Sequence, residues 1–495
     1  MTLRLATDPA AFRERHAAGK RQLVHAHIVD DLETPVSTYL KLAGREGMSF
    51  LLESVEGGDW RGRYSAIGFA PDLVWTVRDR TAFISRNGGP EARQEDGPLD
   101  SLRRLVAETR VDLPEGMPPM ATGLFGYLGY ALAREAENLP RTNAHAMDVP
   151  DAILIRPSVV AIFDNVAHEI TLATTAGPQG KPDKALDEAR ARLENAAEAL
   201  KNTPPDRAKQ AFTPVEVTPE SSTSEARYRE IVGEAQRYIK AGDAFQIVPS
   251  QRFEAPFPHD SFALYRALRR LNPSPFLFHL RFGDFSVVGS SPEILVRVRN
   301  DKVTIRPIAG TRPRGATPED DQRHAEELLA DEKERAEHLM LLDLGRNDVG
   351  RVSEAGEVDV IEKFAIERYS HVMHIVSTVQ GDLAKGKDSI DALLSGFPAG
   401  TVTGAPKIRA MEIIDELEDE ERGVYAGAVG YFAADGGLDT CIALRTGVVK
   451  DGKLHVRAGG GVVIDSDPEA ERMETVHKSA ALFRAAAEAQ RFSDE

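Results

Sequence analysis

The chain has 495 residues, 42% of them hydrophobic, with 61 Lys and Arg against 78 Asp and Glu for a formal charge of −17. That length allows two to four domains with sizeable cores, and the composition excludes disordered, collagen-like and disulfide-scaffold chains. Without a basic block the chain is a poor partner for nucleic acid or anionic lipid, and no stretch nears the ~18 apolar residues of a membrane span.

A single cysteine, Cys441, excludes an internal disulfide and a Cys-rich metal site. The N-terminus meets charge too early for a secretory leader. A soluble, cytoplasmic protein is therefore expected.

Residues 20–175 are expected to form short strands and turns. RYSAIGFAPDLVWTVRD and TAFISRNGG have a hairpin pattern, and DAILIRPSVVAIFDNVAHEITLATT predicts two buried strands turning at Asp164-Asn165. The glycine-spaced aromatics of GLFGYLGYALARE suit close backbone packing. Residues 183–201 predict a helix with a narrow stripe of Leu186, Leu193 and Leu200. The Pro/Ser/Thr-rich stretch 202–224 predicts a linker, so the expected division is 20–175, then helix and linker 176–221, then 222–490.

In the third region, Ser222 and Glu225 have capping-box spacing. Tyr228, Ile231, Val232, Ala235, Tyr238 and Ile239 follow as one helix face. A helix at 261–271 is expected between strand-like stretches. A charged helix over 318–344 is expected to bury Ala325, Leu328, Leu329, Ala336 and Leu339. Further strands are expected in VYAGAVGYFAA, LDTCIALRTGVVK and KLHVRAGGGVVI. A final helix is expected from Pro468, with Asp467 as N-cap. Hairpins and helices without strict βαβ alternation predict α+β, with large, mostly antiparallel sheets packed as a sandwich and helices outside.

Glu334 and Glu337 lie three apart on one predicted helix, and Glu471 and Glu474 repeat that spacing on another. Like charges so spaced destabilise a helix. The four acids are either two solvated faces or a site for a hard cation such as Mg²⁺. Gly459-Gly460-Gly461 is either a tight bulge or a close approach of backbone amides to a ligand. FPAGTVTGAPK lacks the order of a phosphate loop. His374 shares a face with Val372 and Val376, as either a satisfied core residue or a buried acid–base. Arg445, read as lying within an apolar strand, implies a carboxylate partner from protein or ligand. Cys441 reads as a small core residue.

Six segments carry a stronger signal: PIAGTRPRG, DEKERAEHLMLLDLGRNDVGRV, FPAGTVTGAPKIRAMEII, YAGAVGYF, IALRT and AGGGVVIDSDPEAERMET. In this order, over residues 222–483, they closely resemble the chorismate-utilising enzymes. LLES, GRYSAIG and NPSPFLF further resemble the anthranilate synthase component I branch.

The resemblance implies Mg²⁺ held by Glu337 and Glu474 with support from Glu334 and Glu471. It implies a substrate set of Gly310, Thr311, Thr401, Tyr425, Arg445 and Gly459–Gly461. It implies His374 as proton donor to the leaving C4 hydroxyl, Glu293 as base for the C2 proton, and a tryptophan inhibitor site at Glu53, Ser54, Pro275, Phe276, Leu277 and Cys441. Related enzymes typically carry a nucleophilic lysine where this chain has Ala309, or a water-activating lysine where it aligns with Gln246, and neither residue here can do that chemistry. Attack by ammonia remains, giving anthranilate and pyruvate in tryptophan biosynthesis. The single buried-looking cysteine implies that a glutamine amidotransferase partner supplies the ammonia. An aminodeoxychorismate synthase and an inactive tryptophan-binding subunit remain as alternatives.

Overall fold

The computed structural model describes residues 3–29, 32–44, 47–54, 62–137, 139, 143–202, 216–369 and 372–492. Most of the predicted linker, residues 203–215, lies outside them. Chain alternation sends successive side chains to opposite faces of a strand, and that rule organises the fold. Phe50, Phe125, Tyr127, Phe278, Val287 and Val429 meet in one interior cluster, where the Phe50 and Phe125 rings stack 4.2 Å apart. The opposite faces of the same strands, carrying Leu51, Val288 and Leu454 in one part and Trp75, Leu124 and Val296 in another, are covered by helices. The result is the expected α+β sandwich with helices outside.

The sheet is antiparallel and branched. One arm runs from Gln22–Val29 through Glu169–Ala176, Ala152–Asp164, Tyr64–Arg78 and Ser49–Glu53, then into Phe276–Arg281, Phe285–Ser291, Thr446–Lys450, Lys453–Gly459 and Ser250–Pro256. The other leaves Ala152–Asp164 for Gly123–Leu128, Ala428–Ala433, Leu438–Ile442, Ile294–Arg299, Lys302–Ile305 and Val372–Leu383. Val372–Leu383 then takes both Ile308–Pro313 and Ser353–Arg368. Strands before residue 175 therefore pair with strands beyond 222 at two places, through Ser49–Glu53 and through Gly123–Leu128.

The local expectations hold where the signal is periodic. Pro182–Lys201 buries Leu186, Leu193 and Leu200, with Ala189 and Ala196 widening the stripe. Ser261–Leu271 is a helix, and Asp467 caps Pro468–Ala489 by accepting from the amides of Glu469 and Ala470.

Other expectations need correction. The helix expected at 318–344 is two helices, Pro318–Ala330 and Glu332–Gly350, because Asp331 takes extended backbone and caps the second. The break rotates the second helix, so His338, Leu341 and Leu342 are buried while Leu339 is exposed and Ala336 faces solvent. Ser224, not Ser222, caps Glu225–Ala241, by accepting from the amide of Arg227. Residues 20–175 also hold two helices that no strand pattern announces, Pro35–Leu42 and Pro98–Thr109, both opening on proline.

Candidate functional site

Most of the residues singled out above fall into two groups. The first combines strand residues, turns and helices, beginning where Ile308–Pro313 pairs with Val372–Leu383 and sets Thr311 opposite His374. His374 is buried there, its Nδ1 donating to the Gly310 carbonyl at 2.9 Å with Thr311 Oγ1 at 3.1 Å. Burial lowers its pKa, and Arg445 lowers it further. Gly310 has φ +68, and a Cβ there would lie 3.1 Å from Glu334 Oε2, so the irregularity it makes within Ile308–Pro313 touches both the histidine and the acidic group.

Arg445 is not inside a strand. It sits between Leu438–Ile442 and Thr446–Lys450 with φ +47, in the left-handed region, and its charge acts on His374.

The four glutamates stand on two helices, Glu334 and Glu337 on Glu332–Gly350, Glu471 and Glu474 on Pro468–Ala489. Burial raises the pKa of Glu337, and the charges of Glu334 and Glu474 raise it further; burial and Glu474 do the same to Glu471. Glu471 Oε1 accepts from Ser466, while its buried Oε2 has no hydrogen-bond partner among the described residues. Two basic side chains engage the group: Arg312 reaches Glu334 at 3.2 Å, and Lys478 reaches Glu474 at 2.7 Å. Among the described residues, no three acids or histidines converge as a ready-made chelate. An all-oxygen set in which Glu337 and Glu471 have raised pKa values and one buried oxygen is orphaned fits a hard divalent cation better than a solvated helix face.

The glycine run approaches this acidic group. A Cβ on Gly460 would stand 2.8 Å from Glu471 Oε2, one on Gly459 2.8 Å from the Tyr425 hydroxyl, and one on Gly461 2.5 Å from Gln246 Nε2. Gln246 and Ala309 are both buried. Glu293 is 7% exposed; Thr401 donates to its Oε2 at 3.4 Å, and burial pushes its carboxyl up to about 8.

The second cleft, with a cavity volume of about 100 Å³, is lined by Glu53, Ser54, Pro275, Phe276, Leu277 and Cys441 together. Glu53 and Leu277 are cross-strand partners. The Glu53 carboxylate turns away onto the outer helix, where Tyr265 and Arg269 donate to it. Ser54 Oγ is buried without a partner among the described residues. Sequence reasoning missed the cleft's polar end: Arg297 at 3.1 Å and Arg299 at 2.9 Å both pair with Asp439. Two guanidiniums against one carboxylate leave a net positive charge there. Tyr64, Met120 and Tyr431 complete the apolar wall. Arginines at alternate positions of an apolar strand, ILVRVR, were the available signal.

The model of the chorismate binding enzymes matches residues 49–484. Anthranilate synthase component 1 of Cereibacter sphaeroides is 53% identical over 98% of this chain and 99% of its own length. The same component from Pseudomonas putida is 49% identical over 94% of each chain. The crystal structure of anthranilate synthase component I from Streptococcus pneumoniae superposes with a TM-score of 0.78 at 34% identity, over 92% of this chain and 99% of that one. The menaquinone-specific isochorismate synthase of Escherichia coli shares the fold, with a TM-score of 0.71 at 19% identity over 97% of this chain and all of that one. This protein belongs to the family of chorismate binding enzymes.

Proposed function

We propose that the chain is the synthase component that converts chorismate and ammonia to anthranilate and pyruvate in tryptophan biosynthesis. The observation that carries this reading is near-full-length identity to anthranilate synthase components, in a chain with Ala309 and Gln246 where covalent or water-activating chemistry needs lysine. Arg445 grips a substrate carboxylate, with Tyr425 and the amides of Gly459–Gly461 closing around the ring. Because Nδ1 of His374 is held by the Gly310 carbonyl, Nε2 is the nitrogen left to face the C4 hydroxyl. The dianionic substrate offsets the burial and the Arg445 charge that depress this histidine, so the imidazolium forms only with substrate bound and gives its proton to the leaving oxygen.

Glu293 is the base for the C2 proton. Burial makes it a stronger base than an ordinary carboxylate and also keeps it protonated below about pH 8. Glu337 and Glu474, supported by Glu334 and Glu471, hold Mg²⁺ once Lys478 and Arg312 release their carboxylates. When bound, Mg²⁺ supplies charge neutralisation for the ring carboxylate.

The second cleft binds tryptophan as a feedback inhibitor. Its carboxylate meets Arg297 and Arg299, its ammonium meets Asp439, and its indole lies on the apolar wall. A glutamine amidotransferase subunit delivers ammonia.

The test is purified chain with chorismate, Mg²⁺ and either ammonium or glutamine, the product identified by fluorescence and mass. Ammonium alone yields anthranilate and glutamine alone yields none. Aminodeoxychorismate as the product, or no turnover at all, overturns the reading, and glutamine-dependent activity of the isolated chain overturns the partner.

A further inference from the structure

The candidate catalytic group draws on segments that are far apart in the chain. The Gly459–Gly461 run, the Thr401 turn, the Gln246–Ser250 segment and Tyr425 come from four separate parts, joined by only short backbone pairings such as Ser250 opposite Gly459 and Gln246–Ile247 against Gly404–Ala405. All four lead to one buried guanidinium.

Arg422 is 3% exposed. Its Nη1 donates to the Val402 carbonyl at 2.6 Å, one residue past Thr401. Its Nη2 donates to the Val248 carbonyl at 2.6 Å, two residues past Gln246. Nε and Nη2 also grip the carboxylate of Glu418, at 3.2 and 2.6 Å to Oε1. Glu418 in turn accepts from the amide and hydroxyl of Ser250 at 2.7 and 2.8 Å, and from Arg457 at 3.1 Å. Arg457 lies two residues before Gly459 on the same strand. The guanidinium also stands 5.6 Å from the centre of the Tyr425 ring, three residues along its own chain.

We infer that Arg422, acting through Glu418, is the positioning residue that fixes the chorismate-facing loops. It touches no reacting atom. Its planar fork has donors in several directions at once, so a single side chain adds to the short backbone pairings a tie between the Thr401 turn and the Gln246 segment, and through Glu418 ties both to the strand that leads into the glycine run. Lysine, a point charge with no fork, cannot reach two carbonyls and a carboxylate in these directions. The inference rests on the substrate set proposed above, though not on which product forms.

The test is calorimetric titration of chorismate, with Mg²⁺, into wild type, Arg422→Lys and Glu418→Gln, alongside thermal melts. Titration separates affinity from the fraction of competent protein. A purely structural role lowers the binding stoichiometry and leaves Kd alone, because the molecules that fold bind normally. A positioning role raises Kd in the molecules that do fold. The expected result is a Kd raised at least about tenfold in Arg422→Lys and less in Glu418→Gln, which keeps an amide oxygen for Ser250. Tryptophan affinity, read in the same preparations, stays within about twofold. Unchanged chorismate Kd in both variants overturns the inference. Wild type that binds chorismate but makes no anthranilate overturns the proposed reaction instead and leaves this inference standing.

Discussion

The two sites draw on neighbouring residues of the same strands and are built differently. Ile294–Arg299 carries Arg297 and Arg299 into the second cleft, and Glu293 just before it belongs to the first. Leu438–Ile442 ends with Cys441 against the second cleft, and Arg445 follows three residues past its end, near His374. The second cleft is walled by paired strands, so sheet register places its side chains: Glu53 opposite Leu277, Val429 opposite Cys441. The first also uses register, with Thr311 opposite His374 and Ser250 opposite Gly459, but it adds turns and acids borne on two helices, and it carries charge that its own residues leave partly unrelieved. A register-built cleft is preformed and suits a ligand that must be recognised without chemistry. A cleft of mutually repelling acids and displaced pKa values is poised for ions and substrate to complete it.

That contrast predicts unequal responses to mutation. The largest effect belongs to the carboxylates. Glu337→Gln or Glu474→Gln, or chelation by EDTA, is expected to lower anthranilate formation about 100-fold or more, since several kcal/mol of charge stabilisation is removed. The melting temperature of Glu337→Gln is expected to stay level or rise, because the substitution relieves repulsion from Glu334 and Glu474. Near-normal turnover of Glu337→Gln with EDTA present would end the Mg²⁺ assignment.

In the register-built cleft the effect falls on affinity alone. Ser54→Arg puts a long charged side chain where a buried hydroxyl faces the cavity. Tryptophan Kd by calorimetry is expected to rise more than about 30-fold, with turnover unchanged in the absence of tryptophan. Binding linkage is reciprocal, so tryptophan must weaken chorismate binding by the same factor that chorismate weakens tryptophan binding. Equal tryptophan affinity in wild type and variant would place the inhibitor elsewhere.

The sequence was most legible where periodicity or a cap governs structure. The Leu186–Leu193–Leu200 stripe, the Ser261–Leu271 helix and the Asp467 cap follow from local rules, and so does the α+β class. Local rules failed where a single residue changes direction. Asp331 interrupts a run of helix formers because its carboxylate satisfies two amides better than its backbone continues the helix. Arg445 looks like a strand residue in IALRT, yet it sits in a left-handed turn that only the neighbouring strands impose. The clefts were legible as resemblance and not as physics. Nothing in the spacing of Ser54, Pro275 and Cys441 says that they meet, because the meeting depends on long-range strand pairing. Arg422 escapes a sequence reading for a related reason: Glu418 is local, but its carbonyl partners lie at residues 248 and 402 and only the fold brings these to it.

The smallest expected effect tests whether Glu293 carries stored cost as a buried acid. Its pKa is raised from an ordinary 4.5 to about 8 by burial, against which the hydrogen bonds from Thr401 and the Ile308 backbone act weakly. In the unfolded chain it ionises near its ordinary value, whereas the folded protein holds the proton until about pH 8. Between those values the folded state binds the extra proton, so wild type loses stability as pH rises through this window. The full shift corresponds to an upper limit of about 5 kcal/mol; in practice water entry and side-chain relaxation reduce it. Glu293→Gln has the shape of the protonated acid and no charge to bury. It is therefore expected to melt within a degree or two of wild type at pH 5 and several degrees above it at pH 8.5, while losing turnover at both. A difference in melting temperature that does not change with pH would mean that Glu293 is already ionised in the folded protein, and that burial does not make it the unusually strong base the proposed C2 step requires.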